Sequence, residues 1–404
     1  MPNTLITPGP SRPSLLLAAG SLLLVAIFFL LCIGDYLVAR SIDRQAERLN
    51  PEARRIEAER VVRQDAPQMA QAMSQGYRPL LFPALFEQPG FRDLALEAGV
   101  VPLAAQPLTR LMFCNEGGGL VRYYSDRFGM RNADSVWDVP VIDVALVGDS
   151  YVHGACVEDA DTLVSRLQTP GRRVVNLGTS GNNAIHYAAV LKAFLPALRP
   201  RYAVLVLYPN DNEDERDSLF RPLTIDASPA YVQLLDGKRL PGQIYQRLGP
   251  LFARAEALAL WQRQRADSGT ADLRFVLDRT GRYLALRHLR QLAGLAWRRL
   301  VDPDLAWSSQ LAIDTLAAQC APPQCQPVLA YIPNSAFWRP DFRAPGYRAA
   351  LKAYAEASHP AMRWLDTGPG LEALDVAAYA HQGPHLSAAG YAVVAEQITR
   401  ALDP

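Results

Sequence analysis

The chain has 404 residues, of which half are hydrophobic and a fifth are charged, and its formal net charge is +1. This length accommodates one large α/β domain with appendages, or two domains. A net charge this close to zero gives no electrostatic reason to expect a nucleic-acid partner, and we expect none.

The first apolar element predicts a membrane anchor. Residues 1–13 form a short tail, and residues 14–34 follow without a charged side chain. At about 1.5 Å per residue, a helix of this length spans roughly 30 Å, the thickness of the bilayer hydrocarbon. A cleaved signal peptide is the alternative, but its apolar region is usually only about 7–15 residues long. We therefore expect a single-pass anchor in the inner (cytoplasmic) membrane.

Two signals disagree on which side of the membrane the body lies. One arginine precedes the span, whereas several follow it, namely Arg40, Arg44, Arg48 and Arg54. Counting basic residues alone leaves the body in the cytoplasm. Cys320 and Cys325 instead bracket a tight loop that a disulfide could close, and four unpaired thiols are the alternative. An even number of cysteines outside the membrane suits an oxidising compartment, so we expect a periplasmic body.

Cys114 and Cys156 could form a second disulfide, which leaves Cys32 in the membrane. No CxxC pair occurs, and we therefore expect no zinc site.

Beyond the anchor, residues 35–76 have the composition of a solvated helical stalk, and residues 77–140 form a lead-in segment of mixed pattern. Residues 141–404 then alternate apolar runs with helical patterns. Five runs are candidate strands: Val141–Val147, Arg173–Leu177, Tyr202–Tyr208, Pro327–Ile332 and Met362–Asp366. Helical stretches near residues 161–168 and 184–198 separate the first three, which predicts a parallel sheet covered on both faces.

A long insertion, about residues 213–310, interrupts this alternation. Much of it is helical and basic in pattern, for example residues 282–290 and 297–300. Such helices could cap a site or face lipid or an acidic glycan. A solvated helix pair packing on the sheet is the simpler interpretation.

The run that ends in Val147 leads into Gly148-Asp149-Ser150. In a parallel sheet, sites lie at the carboxyl ends of the strands, where this serine falls. The serine thus lies between this strand and a helix that is expected to begin around residues 158–161. A serine hydroxyl reacts as a nucleophile only when a base takes its proton and donors stabilise the resulting oxyanion. The later part of the chain must therefore supply both.

Three later segments could do so: residues 176–181, 208–211 and 383–387. Together with Gly148-Asp149-Ser150 they resemble, in order, the four sequence blocks of the SGNH/GDSL hydrolase superfamily, over about residues 120–404. Residues 123–131 also resemble the lead-in of bacterial members, or form the edge of a hairpin. The resemblance implies an α/β fold with a three-layer, flavodoxin-like parallel sheet. It further implies ester hydrolysis or acyl transfer through an acyl-serine, with no cofactor and no metal.

The resemblance also assigns residues. It makes Ser150 the nucleophile and His385 the general base, with the oxyanion held by backbone N–H groups of Ser150 and Gly181 and by the Asn210 side chain. Tyr208 stands where the family has a glycine. His381 lies four residues before His385, but the intervening glycine and proline break the helix that a metal pair would need.

The acid that orients the histidine is not where the family has it. The usual position, three residues before the histidine, is Gln382 here, and the nearest acids are Asp366 and Asp375. Three outcomes are open: a Ser-His dyad oriented by Gln382 or a carbonyl, an acid displaced to another position, or an inactive protein. We favour the dyad, because Ser150, Gly181, Asn210 and His385 are all intact.

The expected function is hydrolysis of O-acyl groups on a cell-envelope polysaccharide or lipid, which would be the substrate partner. An O-acyltransferase using the same site, or a catalytically inactive glycan-binding envelope protein, are the alternatives. We expect the membrane to be contacted through residues 14–34, and the sequence does not identify a protein partner.

Overall fold

The computed structural model describes residues 12–49, 65–117, 119–213, 217–222, 242–267, 305–334, 344–381 and 383–402, with residues 281, 284–286, 289, 290 and 293. The chain divides into two compact units. One contains Met1–Gln45 and Arg265–Val301, and the other contains Ala46–Gln264 and Asp302–Pro404.

The second unit is built on a five-stranded parallel sheet. Its strands are β4 (Val144–Val147), β5 (Val174–Asn176), β6 (Tyr202–Leu207), β7 (Gln326–Tyr331) and β8 (Arg363–Asp366), in the spatial order β5-β4-β6-β7-β8. All four neighbouring pairs are parallel. This is the flavodoxin-like order, so the predicted α/β class and sheet are confirmed. The strands are slightly shorter than predicted, except that β7 begins one residue earlier.

Strands β4 to β7 are buried on both faces, whereas β8, at the edge of the sheet, is half-buried along its length. In β4, Ala145 and Val147 belong to one apolar cluster, whereas Val144 and Leu146 belong to the other. Side chains alternate between the faces of a strand, so both faces must be covered. Helices α6 (Ala184–Leu198) and α8 (Trp307–Gln319) cover the first face, and α5 (Leu163–Leu167) and α11 (Ala388–Leu402) cover the second. The three predicted layers are therefore present.

The remaining helices of this unit complete the chain order. They are α2 (Asp65–Ser74), α3 (Phe91–Ala98), α4 (Ser150–His153), α7 (Gly242–Asp267), α9 (Ala344–Ser358) and α10 (Gly368–Leu374). A disulfide between Cys320 and Cys325 closes the connection from α8 to β7, as the cysteine spacing suggested.

The lead-in segment forms a second, smaller sheet. Strand β1 (Arg78–Pro79) pairs in parallel with β2 (Arg110–Met112), and β2 pairs antiparallel with β3 (Arg122–Tyr124). Of residues 123–131, only Tyr123 and Tyr124 lie in this antiparallel pair, so the hairpin-edge interpretation is correct for these two residues. Outside the strand bounds, Phe113 and Cys114 continue the pairing with Val121. The connection between β2 and β3 is described except for residue 118.

In the first unit, helix α1 (Arg12–Leu49) contains the predicted anchor and continues past it. Gly20–Ser41 is long and apolar enough to cross a membrane, and its apolar side chains from Leu22 to Leu37 are largely exposed. The Asp35 carboxylate accepts a hydrogen bond from the Leu289 backbone N–H at 2.7 Å. The basic stretches predicted at 282–290 and 297–300 lie mostly outside the described residues, as do residues 50–64 of the stalk.

Candidate active site

Ser150 begins a helix directly after the central strand. Two residues, Gly148 and Asp149, separate it from β4, and Ser150 is the first residue of α4, a short helix that the sequence did not predict. The helix expected near residues 158–161 is present as a 3-10 turn, Asp159–Asp161, followed by α5. The Asp149 side chain caps this helix by accepting the Tyr151 N–H at 2.9 Å. Gly148 admits this turn because a Cβ there would lie 2.6 Å from the Val152 side chain. The residue Ser150 is only 8% exposed.

His385 lies in hydrogen-bond contact with both a nucleophile and an acid. Its Nε2 is 2.8 Å from Ser150 Oγ, and its Nδ1 is 2.7 Å from Glu116 Oε1. The second carboxylate oxygen of Glu116 accepts the backbone N–H of His385 at 3.1 Å. An ionised carboxylate only accepts, so Nδ1 carries the proton and Nε2 is free to accept the serine proton. Ser150, His385 and Glu116 therefore have the geometry of a Ser-His-acid triad.

The electrostatics of the site fit this arrangement. Burial acts to lower the pKa of His385, but the charge and hydrogen bond of Glu116, together with the charge of Asp149, outweigh burial and raise it above its ordinary value. Burial also raises the pKa of Asp149 to about 6, against the opposing hydrogen bond from Tyr151. The carboxylate of Glu116 thus stabilises the imidazolium that forms when His385 takes a proton.

Glu116 is the residue that sequence reasoning missed. It lies on the connection between β2 and β3, in the lead-in segment rather than beside the histidine. The acids considered from the sequence lie elsewhere: Asp366 pairs with Arg348 and accepts the Gly368 N–H, and Asp375 is exposed. Gln382 lies outside the described residues. The dyad is therefore corrected to an arrangement with a displaced acid.

The second sequence block lies against the nucleophile helix. The Ser180 N–H donates to His153 Nδ1 at 3.3 Å, and the Thr179 N–H donates to the Gly148 carbonyl at 3.2 Å. Gly181 has φ +75°, and a Cβ there would lie 2.6 Å from the Phe82 ring. Only glycine satisfies both conditions readily, which leaves its backbone N–H in the loop beside α4.

The third block is held by a buried carboxylate. Asp211 accepts the Tyr187 hydroxyl at 2.6 Å and the Tyr208 N–H at 2.7 Å, which fixes the turn Pro209–Asp211 after β6. Asn210 lies in this turn and is exposed. Because β5 and β6 flank β4, Gly181 and Asn210 follow the two strands on either side of the one that leads to Ser150.

Tyr208, the departure from the family pattern, has a packing role. Its ring stacks on that of Tyr151, with centroids 4.5 Å apart. The Tyr151 hydroxyl in turn donates to the Pro384 carbonyl at 2.8 Å. Tyr151 therefore connects the nucleophile helix to the loop that carries His385.

The end of the lead-in segment clamps the same region. Arg131 is buried and donates to the carbonyls of Gly154 at 2.6 Å and Val157 at 2.9 Å. The Asn132 amide binds both backbone groups of Asn176 at the open edge of β5. Residues 131 and 132 thus fix the loop after α4 and the end of β5.

Four groups near the site have the geometry of metal ligands. The ligand atoms of Cys114, Glu116, Cys156 and His385 all lie within 4.8 Å of one another. Cys114 and Cys156 form a disulfide, and disulfide sulfurs lack the thiolate charge that binds a metal. In this oxidised state the cluster is therefore suited to orienting His385. His381 is exposed and is not part of the cluster.

No family model and no curated protein sequence matches this chain. One similar solved structure is described as a lipolytic protein of the G-D-S-L family from Desulfitobacterium hafniense, with 15% identity, 64% of this chain and 98% of that chain covered, and a TM-score of 0.29. Another is a catalytic mutant of an acetylxylan esterase from Geobacillus stearothermophilus, with 16% identity, coverage of 65% and 94%, and a TM-score of 0.30. The α/β fold assignment rests on the strand order of this chain.

Proposed function

We propose that this protein is a serine ester hydrolase that removes O-acyl groups from a cell-envelope polysaccharide or lipid. The observation that carries the proposal is the continuous contact from Ser150 Oγ through His385 to Glu116, at 2.8 and 2.7 Å. A serine, a histidine and a carboxylate in this order form the apparatus of acyl transfer through a covalent intermediate.

Each residue of the site has a separate role in the proposed reaction. His385 Nε2 takes the proton of Ser150 as Oγ bonds to the ester carbonyl carbon, and the tetrahedral oxyanion accepts hydrogen bonds from the N–H groups of Ser150 and Gly181 and from the Asn210 amide. The carbon–oxygen bond to the alcohol then breaks, and His385 gives the alcohol its proton. Water attacks the acyl-serine with His385 again as base, which releases the carboxylic acid and restores Ser150.

Transfer of the acyl group to a sugar hydroxyl in place of water uses the same intermediate. An inactive glycan-binding protein was the alternative that followed from the missing acid. Glu116 weakens that alternative, because a carboxylate bound to the histidine has no evident use in passive binding. The N-terminal helix, which is long and apolar enough to span a membrane, supports a tethered enzyme with an envelope substrate, and the two disulfides support a periplasmic body.

The test uses the full chain in detergent. A fluorophosphonate probe should form an adduct on Ser150, located by peptide mass spectrometry, and the oxidised protein should hydrolyse p-nitrophenyl acetate. Ser150→Ala should remove the adduct and reduce kcat by about 10⁵- to 10⁶-fold. The matched control is Ser180→Ala, a serine in the neighbouring loop, which should retain both. A folded wild-type protein with neither an adduct nor hydrolysis would refute the proposal.

A further inference from the structure

We infer that the Cys114–Cys156 disulfide positions Glu116, so that the triad is complete in the oxidised protein and loses its acid on reduction. The inference rests on the proposed function and concerns the regulation of the same site. The disulfide joins the connection between β2 and β3 to the loop that follows the nucleophile helix α4.

The disulfide lies against the catalytic histidine. Cys156 Sγ is 3.7 Å from His385 Nδ1, the same atom that Glu116 binds at 2.7 Å. Glu116 follows Cys114 by two residues, so the covalent bond ends next to the carboxylate. Movement of Cys114 away from Cys156 would therefore carry Glu116 away from the ring.

One side of the disulfide is fixed by the protein. Arg131 binds the carbonyls of Gly154 and Val157, on either side of Cys156, and is itself buried. Cys156 has φ +62°, a left-handed conformation that favours glycine over a residue with a Cβ.

The other side of the disulfide is the turn that carries Glu116. The backbone pairing of the hairpin ends where the Val121 N–H donates to the Cys114 carbonyl. Beyond it, the Asn115 side chain accepts the N–H groups of Gly117 and Gly119, which shapes the turn locally, and also donates to Gln68 at 3.4 Å. Within the described part of the chain, the hydrogen bonds of the Glu116 carboxylate both go to His385. Contact with the ring thus depends on where Cys114 is held.

The Glu116 carboxylate would also be better hydrated if it moved away from His385. Its side chain is only 9% exposed, and an ionised carboxylate is stable in such a place only while it is paired and hydrogen-bonded. Without the disulfide, the entropy of the freed turn and the hydration of the carboxylate both favour its departure.

The two disulfides differ in their access to a reductant. Cys114 and Cys156 are half-buried, whereas Cys320 and Cys325 are only 1% and 7% exposed. A dithiol reductant supplies two electrons and two protons, gives two cysteine thiols, and becomes a disulfide itself; oxidation reverses the step. Cys114–Cys156 should therefore be reduced first, which leaves Cys320–Cys325 as a matched control.

The experiment measures kcat and KM of the full chain in detergent for p-nitrophenyl acetate, with a chelator present so that no metal binds the freed thiols. Mild dithiothreitol treatment followed by alkylation and peptide mass spectrometry identifies which disulfide has opened. Opening Cys114–Cys156 should lower kcat by about 10- to 1,000-fold with little change in KM, a loss bounded by that of the triad acid itself. Reoxidation before alkylation should restore it.

Three comparisons separate positioning from general stability. The double variant Cys114→Ser/Cys156→Ser should reproduce the loss, whereas Cys320→Ser/Cys325→Ser should retain kcat even if its Tm falls. In a Glu116→Gln background, reduction should have no further effect on kcat. The acid limb of the pH profile should move to lower pH on reduction, as it does when Glu116 is neutralised. If the double variant does not fold, the reduced and alkylated wild-type protein provides the same comparison.

An unchanged kcat and pH profile after verified opening of Cys114–Cys156 would overturn the inference while leaving the proposed function intact. An additive loss in the Glu116→Gln background would overturn it as well. A lack of hydrolysis and of labelling in the oxidised wild type would instead refute the proposed function.

Discussion

The five-stranded sheet and the β2–β3 hairpin contribute to the site in different ways. The sheet supplies Ser150 directly and Gly181 and Asn210 on neighbouring loops, all placed by parallel strands buried on both faces. The hairpin supplies Glu116 from outside that framework, through a disulfide and two hydrogen bonds to His385. The proposed nucleophile and oxyanion donors are therefore positioned by the fold core, whereas the proposed acid is positioned by a disulfide and by its hydrogen bonds to His385. Changes in the hairpin should weaken the base without destroying the nucleophile.

The largest effect that separates the two regions is expected from Glu116→Gln. The glutamine retains the size of the side chain but loses the charge that stabilises protonated His385, so kcat should fall by about 10²- to 10⁴-fold. Steady-state kinetics on an acetyl ester measures this, and slow labelling of Ser150 should persist. Asp366→Asn is the control: the same change at an acid paired with Arg348 should leave kcat nearly unchanged. Equal losses in the two variants would contradict the role of Glu116.

Asn210→Ala tests the sheet-borne part of the site. Removing one donor to the oxyanion typically reduces kcat by about 10²- to 10³-fold, with little effect on KM. Because Asn210 is exposed, the Tm of the Asn210→Ala variant should match that of the wild type. The Tm of Asp211→Asn should be lower, because this change removes acceptor capacity that fixes the turn. A loss in KM alone would show that Asn210 only binds substrate.

Gly383→Ala should displace Glu116 by a change in the loop that carries His385. A Cβ at this position would overlap the Glu116 carboxylate, so the side chain must move from the ring. We expect a fall in kcat of about 10- to 100-fold, which is less than for Glu116→Gln because the charge remains nearby. Gly171→Ala, where a Cβ meets nothing within 4 Å, is the matched control. If Gly383→Ala lowered kcat by the same factor in the Glu116→Gln background as in the wild type, the mechanism would be contradicted.

The smallest effect is a shift in pH dependence. Glu116 raises the pKa of His385, and a general base must be unprotonated to act, so activity should rise with pH through this pKa. Glu116→Gln should move the acid limb of kcat/KM to lower pH, because the cation loses its stabilising charge. Rate measurements across the acid range in a constant-ionic-strength buffer test the direction. A limb that stays in place would mean that another group controls it.

The sheet could be predicted from sequence because β4 to β7 are short apolar runs buried on both faces, and because the segments that follow β4, β5 and β6 resemble the family's sequence blocks. Helix α6 could also be predicted, because most of its residues are apolar, and most of them are buried. Strand ends were less predictable, because apolar residues such as Val141 continue past the last paired residue and are exposed.

The acid could not be found by pattern, because Glu116 lies in a loop without periodicity, far along the chain from His385. A signal was nevertheless present. The suggested pairing of Cys114 with Cys156 joins a segment containing Glu116 to the loop after Ser150, and it therefore places a carboxylate beside the nucleophile. Disulfide pairing, which acts over any sequence distance, was the constraint that needed to be combined with the family blocks.

The order of the triad residues and of the two cysteines along the chain has a consequence for biogenesis. Cys114, Glu116, Ser150 and Cys156 all precede β5, whereas His385 lies in the loop before the last helix, α11. The disulfide partners are thus available to an oxidant long before the C-terminal segment is made. His385 is therefore synthesised last, when the disulfide can already hold Glu116 in place. A chain that ends before His385 would carry its nucleophile and acid without any means of using them.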